Sequence, residues 1–190
     1  MIADKRWTSA DLEVFPDDGK RYEIIDGRLK ISEIPHWLHQ FVCGEISSEL
    51  GNWNRKSSRG QCVFAPGLIF DESNDVAPDV IWISNEHLAR ALDENGHLRL
   101  PPELIVEVLS PGAENEQWDR EAKLDLYSRG GVLEYWIVDW QLCKIDIYRR
   151  TSVGLHLTAS LQEGSTLETP LLPGFRCTVT QLCERTREYK

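Results

Sequence analysis

A chain of 190 residues is long enough to bury a substantial core, and 41% hydrophobic with 27% charged residues is a globular composition. The formal net charge of −10 argues against strong non-specific binding of nucleic acid, because phosphate neutralisation dominates that kind of binding. No apolar run has the length of a membrane span, and residues 1–10 lack the apolar region of a signal peptide. We therefore expect one domain over residues 1–190 and no membrane partner.

The cysteines indicate the redox environment. Five of them are spread through the chain without a C-x-x-C pair: Cys43, Cys62, Cys143, Cys177 and Cys183. An odd, unpatterned set predicts reduced thiols and argues against a zinc site. We expect a cytoplasmic protein.

The first third of the chain is predicted to form a short helix, a hairpin and a long helix. The short helix spans 9–14 and begins at Thr8 or Ser9. The sequence RYEIIDGRLKI at 21–31 predicts two antiparallel strands joined by the turn Asp26-Gly27. From Pro35 to about residue 53, apolar residues recur at helical spacing, which predicts a helix packed on a sheet.

Polar residues also occupy this long helix. Three lie on or beside its apolar face: His39, Glu45 and Glu49. The spacing leaves open whether they line a cleft or are satisfied locally.

The next predicted strands carry the first candidate site residue. A strand at 61–70 is broken at Pro66-Gly67, and a polar turn leads into the strand VAPDVIWIS at 76–84. Asp79 stands just before the apolar run of this second strand. A short helix over 85–92 and a polar loop follow.

The run at 104–109 is apolar at nearly every position, which predicts a strand buried on both faces. Glu107 lies inside it, and an unpaired carboxylate in such a place costs several kcal/mol. Glu107 therefore either lies at a strand end facing a polar cleft or binds a cation. Both interpretations make it a candidate site residue.

A helix is predicted over 116–129, closed by Gly130-Gly131. Its predicted inner stripe is Trp118, Ala122 and Leu126. The adjacent stripe is Asp119, Lys123 and Tyr127. Lys123 thus stands at the margin of the buried face. It either reaches a cleft or forms an ordinary surface ion pair with Asp119.

The last part of the chain is mostly strand. A strand is predicted at 132–139, strands at 144–149 and 154–159 alternate as an antiparallel meander, and the tail adds a closing strand and a short helix. Strands dominate, with two or three helices covering them, which predicts a mixed α/β layer fold.

The candidate residues suggest a chemistry. Asp79 and Glu107 on neighbouring strands can share one divalent metal through oxygen ligands, as Mg²⁺ prefers. Such a metal activates a water and stabilises charge on a phosphate, and Lys123 can orient the water or neutralise the developing charge. Phosphodiester cleavage needs this combination. A serine or cysteine hydrolase is disfavoured, because no G-x-S-x-G sequence is present.

Several segments resemble one known family. They are YEIIDGRL, APDVIWIS, PELIVEVLSP, KLDLYSRGGVLEYWIVD and LLPGF, which span about residues 22–175. Together they resemble the Uma-type (Uma-two) group of restriction-like endonucleases within the PD-(D/E)XK nuclease superfamily. The resemblance implies a restriction-endonuclease-like fold: an α/β mixed β-sheet flanked by α-helices, with a divalent-metal site.

Carried over to this sequence, the resemblance implies that Asp79 and Glu107 are metal ligands, with the Val108 carbonyl as a third. The simplest superfamily motif has lysine two residues after the glutamate, where this chain has Leu109. Lys123 would then be the catalytic lysine relocated to the following helix. His39 matches a polar position of the group and is given no catalytic role.

The expected protein is a Mg²⁺- or Mn²⁺-dependent endonuclease acting on nucleic acid, with DNA as the expected substrate. A homodimer is plausible, because two copies of one site can cut two strands. The alternative is a catalytically inactive nucleic-acid- or protein-binding module on the same fold. In that case Asp79 caps a turn and Glu107 forms a buried ion pair with Lys123.

Overall fold

The computed structural model describes residues 5–189 as six short or long α-helices and twelve strands. The helices are α1 (Ser9–Leu12), α2 (Trp37–Ser57), α3 (Asn85–Ala91), α4 (Ala113–Gln117), α5 (Leu124–Gly130) and α6 (Val179–Cys183). The strands are β1 (Arg21–Ile25), β2 (Arg28–Ser32), β3 (Gly60–Phe64), β4 (Leu68–Asp71), β5 (Asn74–Val76), β6 (Val80–Ser84), β7 (Leu104–Val108), β8 (Glu134–Asp139), β9 (Lys144–Thr151), β10 (Gly154–Leu161), β11 (Thr166–Leu167) and β12 (Cys177–Thr178). A π-helical segment, Trp118–Lys123, joins α4 to α5, and a 3-10 helix, Glu184–Tyr189, follows α6.

The largest sheet has six strands in the order β10-β9-β8-β7-β6-β3. Strand β7 pairs antiparallel with β6 and parallel with β8, so the sheet is mixed. Every residue of β7 is buried, because strands cover both its edges and apolar layers cover both its faces. The prediction of a strand buried on both faces is confirmed, and this strand lies between β6, which follows Asp79, and β8.

Helices and loops cover the two faces of this sheet. One apolar layer contains Leu38, Val42, Ile46 and Leu50 of α2, which confirms the predicted stripe of that helix. The other layer contains Leu126 and Tyr127 of α5 together with residues of β4 and α3. The mixed α/β architecture predicted from the sequence is therefore present. No helix within residues 5–189 is long and apolar enough to cross a membrane.

A second sheet of four strands, in the order β2-β1-β5-β4, was not foreseen. The predicted strand at 61–70 divides between the two sheets, because the chain bends at Ala65, which has a φ of 46°, and at Pro66-Gly67. The predicted strand at 76–84 divides in the same way, with β5 in the small sheet and β6 in the large one. The small sheet carries the predicted hairpin. Its turn residues Asp26 and Gly27 both have positive φ, 51° and 71°, as a two-residue hairpin turn requires.

The connection between β7 and β8 differs from its prediction in two ways. Its helical part begins at Ala113 rather than at residue 116, after Gly112 with a φ of 113°. It also contains the π-helical segment, which no periodic pattern in the sequence signals. Such segments occur frequently at functional sites.

Candidate metal and catalytic site

The register of β6 and β7 brings the two candidate carboxylates together. These strands pair Val80 with Val106, so Asp79, one residue before β6, lies opposite Glu107. Because side chains alternate along a strand, Asp79 and Glu107 are on the same face of the sheet as Ile81. The backbone N–H of Asp79 lies 3.4 Å from Glu107 Oε2, and that of Val108 donates to Asp79 Oδ2 at 2.9 Å. The two carboxylates therefore share one face of the sheet, as binding to one metal ion requires.

Lys123 reaches the same cluster from the helix behind the sheet. Its Nζ lies 3.0 Å from Glu107 Oε1, 3.1 Å from Glu23 Oε1 and 3.6 Å from Asp119 Oδ1, and its side chain is 3% exposed. Tyr127 donates a hydrogen bond of 2.7 Å to Glu107 Oε1. The interpretation of Lys123 as half of a surface ion pair with Asp119 is therefore wrong.

The helix is also rotated relative to its prediction. The stripe of Asp119, Lys123 and Tyr127 is buried, whereas Trp118 and Ala122 of the predicted inner stripe are only partly buried. The physical reason is that the polar stripe finds ionic and hydrogen-bonding partners inside the protein. Buried charges require such partners, and periodicity of apolar residues does not reveal them.

Asp79 has two further partners from outside the large sheet. Arg21 Nη1 of β1 lies 2.8 Å from Asp79 Oδ1, and His39 Nε2 of α2 lies 3.4 Å from the same oxygen. His39, whose role the sequence left open, thus adjoins the candidate site. Glu45 and Glu49, the other two polar residues that the sequence placed on or beside the apolar face of that helix, do not line the cleft that contains Asp79.

Arg21 and Glu23 were missed as site residues, and Asp119 was considered only as a surface partner. Glu23 is 2% exposed. Its Oε1 accepts a hydrogen bond from the Ala77 N–H and also contacts the amine of Lys123. The signal in the sequence was weak, because the strand RYEII has apolar residues at two consecutive positions and so does not specify which face is inward. Only the pairing of the small sheet shows where these side chains point.

These groups line a narrow cleft of about 50 Å³. A water molecule needs roughly 10–15 Å³ of such space, so the cleft fits an ion with a few waters and excludes a nucleotide. Any larger substrate must therefore lie across its mouth. Val108 also lines the cleft, and its proposed use as a carbonyl ligand stays a prediction.

The cleft raises the pKa of two of its carboxyl groups. Burial raises the pKa of Glu107 well above its usual range, and neighbouring carboxylates add to an effect that the Lys123 ammonium only partly offsets. Burial likewise raises the pKa of Asp119 to about 7, against the opposing effect of Lys123. Without a metal ion, both groups therefore bind a proton more readily than an exposed carboxyl group does.

For two other groups of the cluster, Asp79 and Lys123, the shift of the pKa favours the charged form. Burial alone would raise the pKa of Asp79, but the His39 imidazole, the Arg21 guanidinium and the Lys123 ammonium together lower it below its usual range. Burial would lower the pKa of Lys123, but the surrounding carboxylates raise it instead. A carboxyl group with a lowered pKa, Asp79, and an amine with a raised pKa, Lys123, thus adjoin two carboxyl groups whose pKa values are raised.

The raised pKa of Asp119 predicts a pH-dependent stability without metal. An aspartate titrates near 3.9 in an unfolded chain, so between about pH 4 and 7 the folded state binds more protons. The Asp119 contribution to the free energy of unfolding should therefore fall as the pH rises through this window, by an amount on the order of a few kcal/mol. Asp119→Asn should make the fall of the melting temperature between pH 5 and 8 less steep. Asp125→Asn, an exposed change in the adjoining helix α5, should keep the wild-type slope, and parallel profiles for all three proteins would contradict the prediction.

Comparison with known proteins adds the family. The family model described as "Uma2: Putative restriction endonuclease" matches residues 9–180. The fold is similar to the crystal structure of a "putative nuclease belonging to DUF820" from Anabaena variabilis, with a TM-score of 0.76 and 16% identity over 93% of this chain and 97% of that one. At this identity the likeness shows the fold alone.

A second solved structure, the type IIG restriction endonuclease BpuSI, gives a TM-score of 0.44 and 15% identity over 79% of this chain and 16% of that one. No curated protein gives a significant match. The family match extends over most of the sequence and confirms the resemblance drawn from its motifs. The chain belongs to the Uma2 family.

Proposed function

We propose that this protein is a metal-dependent endonuclease that hydrolyses phosphodiester bonds of DNA. The observation that supports this most is the pairing of Asp79 with Glu107 on one face of the sheet, beside the buried amine of Lys123. Membership of a restriction endonuclease family supports the same reaction class.

The donor set fits a small hard cation. The cluster has four carboxyl groups, Glu23, Asp79, Glu107 and Asp119, and two permanent cations, Arg21 and Lys123. When all of them are ionised the cluster carries a net charge of −2, which one divalent cation would balance. Carboxylate oxygens in a cleft with room for a few waters suit Mg²⁺ or Mn²⁺.

Each residue has a proposed role. Asp79 and Glu107 hold the cation, and the Val108 carbonyl serves as a third ligand. The cation supplies an activated water and charge stabilisation at the phosphate. Lys123 orients the water and neutralises charge that develops on the phosphate, while Glu23 and Asp119 fix its amine.

The substrate and assembly are also proposals. Arg21 and Lys30 line the cleft and offer positive charge to a phosphate, although the whole chain carries −10. Two copies of the site would cut the two strands of a duplex, which favours a homodimer. The unpatterned cysteines favour a reducing, cytoplasmic location for a single domain over residues 1–190.

The direct test is incubation of purified protein with plasmid DNA, single-stranded DNA and RNA. Mg²⁺ or Mn²⁺ should support nicking or linearisation of the plasmid, and a chelator should stop it. Absence of cleavage with either metal on all three substrates would favour the alternative, an inactive binding module. The 3.0 Å contact between Lys123 and Glu107 is compatible with that alternative too, because it also describes a structural ion pair.

A further inference from the structure

A second group of ligand atoms meets at Asp79. His39 and Cys43 are four residues apart on α2, so they lie on the same face of that helix. A ring nitrogen of His39, Cys43 Sγ and a carboxylate oxygen of Asp79 all lie within 4.8 Å of one another, and all three residues are buried. Nitrogen, sulfur and oxygen atoms therefore converge on one point.

His39 is the independent sign that this point accepts a ligand. Its side chain is 4% exposed, yet Nε2 makes no hydrogen bond with any of the described residues. The atom lies 3.4 Å from Asp79 Oδ1. The 3.4 Å separation is longer than an ordinary hydrogen bond, and a metal ion between the two atoms would satisfy the buried ring nitrogen.

We propose that His39, Cys43 and Asp79 form a site for Zn²⁺. Zinc takes mixed nitrogen, sulfur and oxygen ligands and often uses three protein ligands with a water in the fourth position, whereas Mg²⁺ does not accept a thiolate. Tetrahedral bonds of about 2.0–2.1 Å separate nitrogen and oxygen ligands by roughly 3.3 Å, close to the observed 3.4 Å. His39 and Asp79 line the cleft, which provides the route of entry.

Zinc binding has two chemical consequences. The Cys43 thiol loses its proton to solvent as the Zn–S bond forms. Zinc also takes Asp79, so it competes with magnesium for that carboxylate and inhibits cleavage. The second consequence, unlike the first, rests on the proposed nuclease function. The spacing of the five cysteines gave no hint of zinc, because the other two ligands are not cysteines.

Titration of the metal-free protein with Co²⁺, a spectroscopic stand-in for zinc, tests the site without any assay of activity. One equivalent should produce visible d–d bands and a near-ultraviolet sulfur-to-cobalt charge-transfer band, and Zn²⁺ should displace them. Cys43→Ala should abolish the charge-transfer band and weaken zinc binding by more than ~100-fold, since loss of even an outer partner of a ligand costs about 10–100-fold. Cys62→Ala, the matched control, should keep the band.

Folding of each variant is checked by a thermal melt without metal, and Cys43→Val provides a second variant that fills the space of the thiol. The absence of a charge-transfer band from the wild-type protein, or its persistence in both folded Cys43 variants, would overturn the site.

Cleavage is then measured with Mg²⁺ while Zn²⁺ is increased, relative to each variant's own rate without zinc. Inhibition should need much more zinc in Cys43→Ala than in Cys62→Ala, and equal inhibition would overturn the competition. A cobalt band without cleavage of any substrate would support the zinc site and reject the nuclease proposal. Cleavage without the band would support the nuclease proposal and reject the zinc site.

Discussion

Replacement of Lys123 by alanine should lower the free energy of unfolding of the metal-free protein by about 3–5 kcal/mol, the usual cost of removing one partner of a buried ion pair. The amine is 3% exposed and contacts Glu107, Glu23 and Asp119, so its loss leaves carboxylates buried together without their central cation. For a chain of this length, 1 kcal/mol corresponds to about 2–4 °C, so the melting temperature should fall by roughly 6–20 °C.

The response to metal decides what this destabilisation means. Removal of Lys123 should destabilise the protein whether its role is structural or catalytic, because it makes the same contacts with carboxylates in both cases. If Asp79 and Glu107 hold a cation, Mg²⁺ at 100 times its dissociation constant should restore about 2.7 kcal/mol. The shift in Lys123→Ala should equal or exceed the wild-type shift, because the amine no longer competes for Glu107, while cleavage falls.

Lys144→Ala is the matched control for this experiment. Lys144 also contacts a carboxylate, that of Asp146, at 3.0 Å, but it is partly exposed and lies outside the cleft. Its removal should cost less than about 1 kcal/mol and leave the magnesium shift unchanged. A strongly destabilised Lys123→Ala combined with no melting shift on adding metal, in either variant or the wild type, would identify a structural ion pair and end the nuclease proposal.

Asp79, Glu107 and Lys123 could be singled out from the sequence because each breaks a local pattern. Asp79 precedes an apolar run, Glu107 interrupts one, and Lys123 stands at the edge of a helical stripe. The β6–β7 register brings Asp79 and Glu107 together, as was expected of two carboxylates on neighbouring strands. Local pattern identified these three side chains as candidates, while the role of each stays a prediction.

Arg21 and Glu23 could not be assigned to the site in this way. They belong to a hairpin that was itself predicted correctly, but the site is 56 or more residues further along the chain. Their approach depends on β5, a three-residue strand that pairs with β1 through a single register contact, Ile24 with Asp75. Nothing local in the sequence specifies such a pairing. The π-helical segment and the reversed burial of its two stripes depend likewise on partners from other elements.

The second large effect is expected for Glu107→Gln. Loss of an anionic ligand should remove several kcal/mol of transition-state stabilisation, so metal-dependent cleavage should fall by ~10³-fold or more. The fold should survive within about 1 kcal/mol, or gain stability, because glutamine relieves repulsion among the carboxylates while Lys123 keeps Glu23 and Asp119. Adding Mg²⁺ should then no longer raise the melting temperature. Asp79→Asn should likewise abolish cleavage and the response to metal.

Glu134→Gln is the matched control, because it should lower stability while leaving cleavage and the response to magnesium unchanged. Glu134 is as buried as Glu107 and lies on the neighbouring strand β8, but it accepts hydrogen bonds from Arg149, Trp136 and Thr169 and lies outside the cleft. Its replacement should cost about 1–3 kcal/mol, because Arg149 loses its charged partner, while the magnesium shift and cleavage remain. Melts with and without Mg²⁺, paired with plasmid cleavage by the same preparations, measure both quantities. A Glu107→Gln protein that still gains stability from Mg²⁺ as the wild type does would show that the cation is held elsewhere.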